Sequence, residues 1–241
     1  MMHATVSATA PSALAHRLWP VAQAARLTRF TRLAAGIGTA ALLAACSILP
    51  APTPVDTYVL PGAAWQRAAT TEHTRTHPAA AGAALRIARP VTDGLLSSRR
   101  IAVMPQADRL QVYQGALWSN PPATLLRSRL LDAFLADGRL PWIDTDESPA
   151  SRVDYLLATQ LRAFYSVYEN GSPTAVVRID AQIVDTASNR AVASRSFLVR
   201  QPAASKEIPD VVQALGQASD QLSKDMVDWA VQSVRSANTS Q

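Results

Sequence analysis

Residues 153–200 read VDYLLATQLRAFYSVYENGSPTAVVRIDAQIVDTASNRAVASRSFLVR, and the fold turns on this stretch. Residues 153–168 are β-rich and alternating, which predicts Tyr155, Leu157, Leu161, Tyr165 and Val167 on one face of a long strand. Asn170-Gly171 then marks a tight hairpin turn, because both central positions of such a turn need positive φ. On the return, Val177, Ile179, Ala181 and Ile183 alternate with Arg178, Asp180 and Gln182, the period of a half-buried strand. Ser188-Asn189 turns the chain once more, and residues 192–200 complete a three-strand meander.

One apolar face needs a cover, and the sequence supplies helices on both sides of the meander. Near 208–234, Val212, Leu215, Ala218, Leu222, Met226 and Trp229 recur at spacings of three and four, a single helical stripe. Upstream, Asn120-Pro121-Pro122 predicts a helix over about 121–136, with Asn120 as cap and a proline in the first helical position. Leu126, Leu130 and Phe134 form its stripe, flanked by Ala123 and Ala133, and Gly138 is its stop. Short strands are expected at 57–60, 85–88, 100–104, 109–114 (turning at Gly115) and 142–144. The sum is an α+β single domain: a mixed or antiparallel sheet with a C-terminal meander, covered by two main helices.

The only cysteine lies far upstream of this domain and closes the run Leu43-Ala44-Ala45-Cys46. Before it stand Arg17, Arg26, Arg29 and Arg32, no acidic residue, and an uncharged stretch of 13 residues from Leu33 to Ala45. That order is a charged region, a short apolar region and a small-residue cleavage site. The stretch falls short of the roughly 20 residues a spanning helix needs. The run resembles the lipobox of bacterial lipoproteins. The resemblance implies cleavage between Ala45 and Cys46 and lipidation of Cys46. Ser47, where an aspartate would imply retention on the inner membrane, resembles the outer-membrane class of a Gram-negative bacterium. The charged region is long for a signal, and no methionine occurs between Met2 and Met104, so a true start at a non-Met codon is one expectation.

The expected organisation is therefore a signal peptide at 1–45 and a lipidated Cys46 with a proline-rich tether at 46–56. A domain follows at 57–235 with a flexible Ala/Thr-rich loop at 66–82, then a disordered tail at 236–241. The tether carries Pro50, Pro52 and Pro54 and favours extended polyproline II geometry, about 3.1 Å per residue.

The formal charge of +5 is largely a property of the signal segment. Four arginines leave with it, so 19 basic residues face 18 acidic ones and the balance falls to +1. That leaves no electrostatic footprint for nucleic acid. Enzyme classes lack parts. The mature chain keeps only His73 and His77, in the 66–82 loop beside Pro78, a poor frame for a metal or a catalytic base. No Gly-rich phosphate loop or Walker lysine occurs. No catalytic, cofactor or metal residue is assigned. Asp144, Asp146 and Glu147 read as a solvated loop, and Arg99, Arg100, Arg127 and Arg129 as solvated faces.

Residues 113–122 are less ordinary, because Tyr113 and Trp118 flank a strand-to-helix junction that ends in Pro121-Pro122. Exposed aromatics anchor partners, which makes Tyr113, Trp118, Pro121 and Pro122 a candidate interface. The other reading is a tryptophan that plugs the helix against the sheet.

Taken in order, these motifs resemble the ABC-type transport auxiliary lipoprotein family, the PqiC-like group. The matching features begin with the lipobox with Ser47-Ile48-Leu49-Pro50, the strand ending Asp56-Thr57-Tyr58-Val59-Leu60, and residues 100–104. They continue through Tyr113 to Pro122, residues 130–135 before Gly138, the meander, and Asp228-Trp229-Ala230 in the last helix. The resemblance implies a non-catalytic component of a system that moves lipids or other apolar molecules between membranes. Its implied partners are an MCE-domain periplasmic protein and that protein's inner-membrane ABC transporter, met at the periplasmic face of the outer membrane. Exposed strand edges are where copies could pair into a homo-oligomer. Two competing readings are a lipoprotein that assembles or plugs an outer-membrane β-barrel, and a periplasmic ligand-binding lipoprotein.

Overall fold

The computed structural model describes residues 54–62, 82–147 and 153–239. The strands are β1 (Asp56–Tyr58), β2 (Ala84–Ile87), β3 (Arg100–Gln106), β4 (Arg109–Trp118), β5 (Trp142–Thr145), β6 (Tyr155–Glu169), β7 (Ser172–Asp185) and β8 (Arg190–Pro202). Helix α1 (Pro122–Asp137) lies between β4 and β5, and α2 (Ile208–Thr239) closes the chain. All eight strands form one mixed sheet, so the fold is α+β.

Strand β6 is its spine. Along one edge β7 pairs with it antiparallel, from Tyr155–Asp185 to Glu169–Ser172, and β8 pairs in turn with β7. Two parallel strands share the other edge: β2 lies beside Tyr155–Leu157 and β3 beside Tyr165–Val167. Between them, Val91 donates its N–H to Thr159 O (2.9 Å) and accepts from Leu161 N (2.8 Å). The sheet therefore forks, with β5 beyond β2 and β4 then β1 beyond β3.

The β6–β7 turn holds Asn170 at φ 51° and Gly171 at φ 78°, the positive values its two-residue length demands. Along β7, Val177, Ile179, Ala181 and Ile183 are buried as the alternation requires. They pack in one core cluster with the α2 stripe Val212, Leu215, Ala218, Leu222 and Met226 and the α1 stripe Leu126, Leu130 and Phe134. Trp229 adds an edge-on contact to Phe197 of β8, centroids 5.6 Å apart.

The expected facing of β6 holds only for its first half. A register shift between Leu161 and Ala163 leaves Arg162 as an extra residue. Because side chains alternate with a period of two, one inserted residue exchanges the faces beyond it. Phe164 and Ser166 are consequently the buried pair, while Tyr165 and Val167 are half-buried. Strand β3 continues through Pro105, where a register shift between Val103 and Gln106 relieves the ladder of a donor proline lacks. Helix α2 runs to Thr239 and takes in most of the segment expected as a tail; Tyr155 Oη donates to Asn238 Oδ1 there (2.6 Å).

Candidate functional site

Strand β4 reaches the strand-to-helix junction without the turn expected at Gly115. Gly115 instead sits at φ 71° within a register shift against β3, a bulge that glycine adopts without Cβ strain. Beyond it Trp118 is 0 % exposed, and its ring meets Phe164 edge-on with centroids 5.7 Å apart. Trp118 N donates to Arg99 O (2.7 Å) and Ser119 N to Tyr58 O (2.7 Å), so backbone bonds to two neighbouring segments fix the residue. Trp118 is thus the plug of the two readings, and its ring offers no surface to a partner.

Pro121, not Asn120, is the helix cap. A residue before proline is pushed out of the helical region, and Pro121 precedes Pro122, so it stays extended at φ −54°, ψ 144°. Its carbonyl accepts the first helical bonds from Thr124 N (2.9 Å) and Leu125 N (3.1 Å). Pro122 takes the first helical position and is buried. At the far end Gly138 adopts φ 70° and donates to Phe134 O, the expected stop. Tyr113 is half-buried with its hydroxyl 2.9 Å from Ser166 Oγ, and burial pushes that hydroxyl up to about 12 against the opposing hydrogen bond. Of the four interface candidates, Trp118 and Pro122 belong to the core while Tyr113 and Pro121 keep partial exposure. Gln114 and Asn120 are the exposed side chains beside them. Ala45, Cys46, His73 and His77 lie outside the described residues, as does the 66–82 loop apart from Gly82.

The arginines expected on solvated faces of α1 are buried instead. Arg129 is 2 % exposed: one guanidinium nitrogen pairs with Asp220 of α2, and the other donates to the carbonyls of Leu60 (3.2 Å) and Pro61. Gly216 makes room for the same segment, since a Cβ there would stand 3.1 Å from two Pro61 ring carbons and 3.2 Å from its carbonyl oxygen. Arg129 thereby clasps the segment that follows β1 between the two helices.

Arg127, 7 % exposed, reaches Asp146 at 2.6 Å and Glu147 at 2.7 Å, and Arg89 joins Glu147 at 3.1 Å. With Arg86–Asp144 at 3.2 Å, the carboxylates expected in a solvated loop are the acidic half of an ion-pair cluster tying β2, α1 and β5 together. Partial burial works against ionisation of Asp146, but Arg127 outweighs it and holds the carboxyl below its ordinary range. Hydrogen bonding to Arg127 lowers Glu147 likewise. Carboxyls depressed in the folded state contribute stability above their unfolded values of about 4, and that stability is lost as pH falls through the folded values. Acid titration below about pH 4 is therefore expected to lower the melting temperature by several degrees, and Arg127→Met should flatten that dependence. Calorimetry across that pH range checks both.

On the sheet face away from the helices lies an open groove of about 600 Å³, with Gln160, Asp180, Gln182, Ser194 and Ser196 in its lining. Asp180 is held there by Arg162 Nε (2.8 Å) and Ser196 Oγ (2.7 Å). These polar groups share the lining with Val91, Ala158 and Ala181, and the groove is open, unlike the closed apolar walls that enclose a hydrophobic ligand. Among the described residues no group of three or more potential ligands could hold a metal, and no helix is long and apolar enough to cross a membrane.

The family model for the ABC-type transport auxiliary lipoprotein component matches residues 58–227, from the end of β1 to the last third of α2. The chain belongs to the ABC-type transport auxiliary lipoprotein family. Among solved structures, this family member is similar to protein XCC0632 from Xanthomonas campestris, at 28% identity and a TM-score of 0.65 over 77% of this chain and 99% of that one. It shares its fold with a second, uncharacterized protein at 14% identity and a TM-score of 0.55, over 73% of this chain and 99% of that one. No curated protein matches the chain. As an auxiliary lipoprotein of ABC transport, the chain carries a folded domain whose junction residues are largely structural. Its exposed rim is Gln114 and Asn120.

Proposed function

We propose that this chain is a periplasmic lipoprotein anchored to the outer membrane. It would serve as a non-catalytic auxiliary component of an ABC transporter and MCE-protein system moving lipids or other apolar molecules between membranes. The observation that carries this reading is the run Leu43-Ala44-Ala45-Cys46, ending ten residues before β1 in a chain of the transport auxiliary family. An acyl chain contributes about 0.8 kcal/mol per buried CH₂, and two or more chains on one residue make the anchoring stable. Confinement at the membrane then raises the effective concentration of a weak docking contact. The docking surface is the exposed rim of the junction, Gln114 and Asn120 with the partly exposed Tyr113 and Pro121.

Cys46→Ser is expected to remove the acyl mass and deplete the protein from the outer-membrane fraction, read by mass spectrometry and membrane fractionation. A photo-crosslinker at Asn120 in cells should capture an MCE-domain protein. Capture of an outer-membrane β-barrel without any MCE protein would overturn the transport reading in favour of barrel assembly.

A further inference from the structure

We propose that the outer edge of β8 docks an extended, acidic segment of a partner protein. The segment adds to the sheet as a further strand and sets an apolar side chain into a groove between β8 and α2. This surface is at the edge of the sheet opposite β1, and it depends neither on lipidation of Cys46 nor on the junction rim.

Strand β8 pairs with β7 from Arg190–Asp185 to Pro202–Thr174, and among the described residues no strand lies on its other side. In an antiparallel ladder alternate residues turn their N–H and C=O groups outward, so β8 displays a row of backbone donors and acceptors. Sheet edges are usually blunted by a bulge, a proline or an inward-pointing charge. On β8 the first two stand only at the ends. A register shift leaves Val192 as an extra residue against Ile183 and Val184, and Pro202 is the last residue of the strand. Residues 193–201 between them continue the ladder without interruption. The partner that such a row fits is an extended backbone.

Beside this edge runs an open groove of about 560 Å³ whose lining draws on β8 and α2 alone. Val192, Ala193, Trp229 and Ala237 give it apolar walls, and Gln232, Ser233 and Ser236 supply the polar remainder. Ser233 Oγ donates to Trp229 O (2.9 Å), which turns that hydroxyl back onto its own helix. Val192 is 42 % exposed and Trp229 half-buried, so apolar surface is open to solvent at the edge itself. A strand added to β8 turns alternate side chains towards α2, and the one level with Ala193 meets this groove. Main-chain bonds to the edge supply affinity in such docking, and the groove supplies selection among side chains.

Charge sets the chemistry of the partner. Strand β8 carries Arg190, Arg195 and Arg200 and no acidic residue. Arg195 shares the α2 side with Phe197, its guanidinium 5.0 Å from the ring centroid. Arg200 is on the other side with Leu198, which is 56 % exposed and in register with Arg178 of β7. Glu169 engages Arg200, while Arg178, Arg190 and Arg195 are exposed. A second copy of β8 would set these cations against their like, which disfavours self-pairing. Arg195 is thus the inward-pointing charge of this edge: it guards against copies and admits a strand that brings a carboxylate.

A fluorescein-labelled nonapeptide alternating valine and glutamate is the probe, with the same peptide carrying lysine for glutamate as its control. Fluorescence polarisation with the purified full chain is expected to show about tenfold or more tighter binding of the glutamate peptide. Arg178→Glu combined with Arg195→Glu, both at exposed positions, should erase or invert that preference. In hydrogen exchange resolved by NMR, the glutamate peptide should slow amides within 193–201 by about tenfold or more and leave those of β1 and β4 unchanged. Equal binding of the two peptides, no binding, or binding that leaves 193–201 unprotected overturns the proposal. A photo-crosslinker at Leu198 in cells then identifies the occupant, expected to be an acidic segment of another protein. Cross-links confined to a second copy of this chain or to the same chain, or none at all, overturn the proposal as well.

Discussion

Trp118→Ala is expected to lower the melting temperature of the domain by about 10 °C or more, equivalent to about 3–5 kcal/mol. The side chain is fully buried at the meeting point of β4, β6 and the entry to α1, edge-on to Phe164. Its removal subtracts the transfer free energy of a large indole and leaves a cavity that the surroundings close only in part. Phe134 and the α1 stripe sit in the same cluster, so the loss should propagate to the packing of both helices. Trp118→Phe separates volume from chemistry. Trp118 Nε1 has no hydrogen-bond partner among the described residues, so phenylalanine forfeits no bond and should cost well under half as much as alanine. Urea denaturation of the three proteins measures both steps. An alanine variant with unchanged stability would show that the indole is not packed as described.

The meander was legible because its signals are local. A period of two, Asn170-Gly171 and a helical stripe such as Val212, Leu215 and Ala218 each occupy a short window, and no distant partner is needed to read them. The bulge at Arg162 was not legible, since a polar residue between Leu161 and Ala163 continues the alternation it breaks. For Trp118 the sequence supports two readings: a tryptophan before Asn-Pro-Pro suits a surface anchor and a plug alike. Only the pairing of Ser119 with Tyr58 and of Trp118 with Arg99, across 61 and 19 residues, encloses it. The arginines carried a faint signal, because Arg127 follows the buried Leu126 and Arg129 precedes the buried Leu130 on α1. Their partners lie in a loop after β5, in α2 and in the main chain at 60–61, and nothing in the spacing of charges along the sequence identifies a backbone carbonyl as a partner.

Arg129→Met should destabilise the domain by about 3–5 kcal/mol, the range for removing one partner of a buried ion pair. The reason is what stays behind. Asp220 keeps a carboxylate that burial already pushes above its ordinary value, now without the guanidinium that opposed that shift. The carbonyls of Leu60 and Pro61 lose their donor as well. Arg129→Met combined with Asp220→Leu tells the two losses apart. Replacing a buried pair by apolar groups of similar size is often neutral, so the double variant should recover the share due to the stranded carboxylate. Whatever cost persists belongs to the carbonyls and the segment they hold. Arg129→Lys should recover little, because a single ammonium lacks the planar fork that serves Asp220 with one nitrogen and the main chain with the other. Hydrogen exchange locates the remaining effect. The Ser119 amide is protected by Tyr58 O of β1. If Arg129 fastens the tether exit, that amide should exchange faster in Arg129→Met than global stability alone predicts, while the amides of the β6–β7 ladder follow the global value. Uniform acceleration across both sets would reduce Arg129 to a general stabiliser and remove its part in holding β1 on its course.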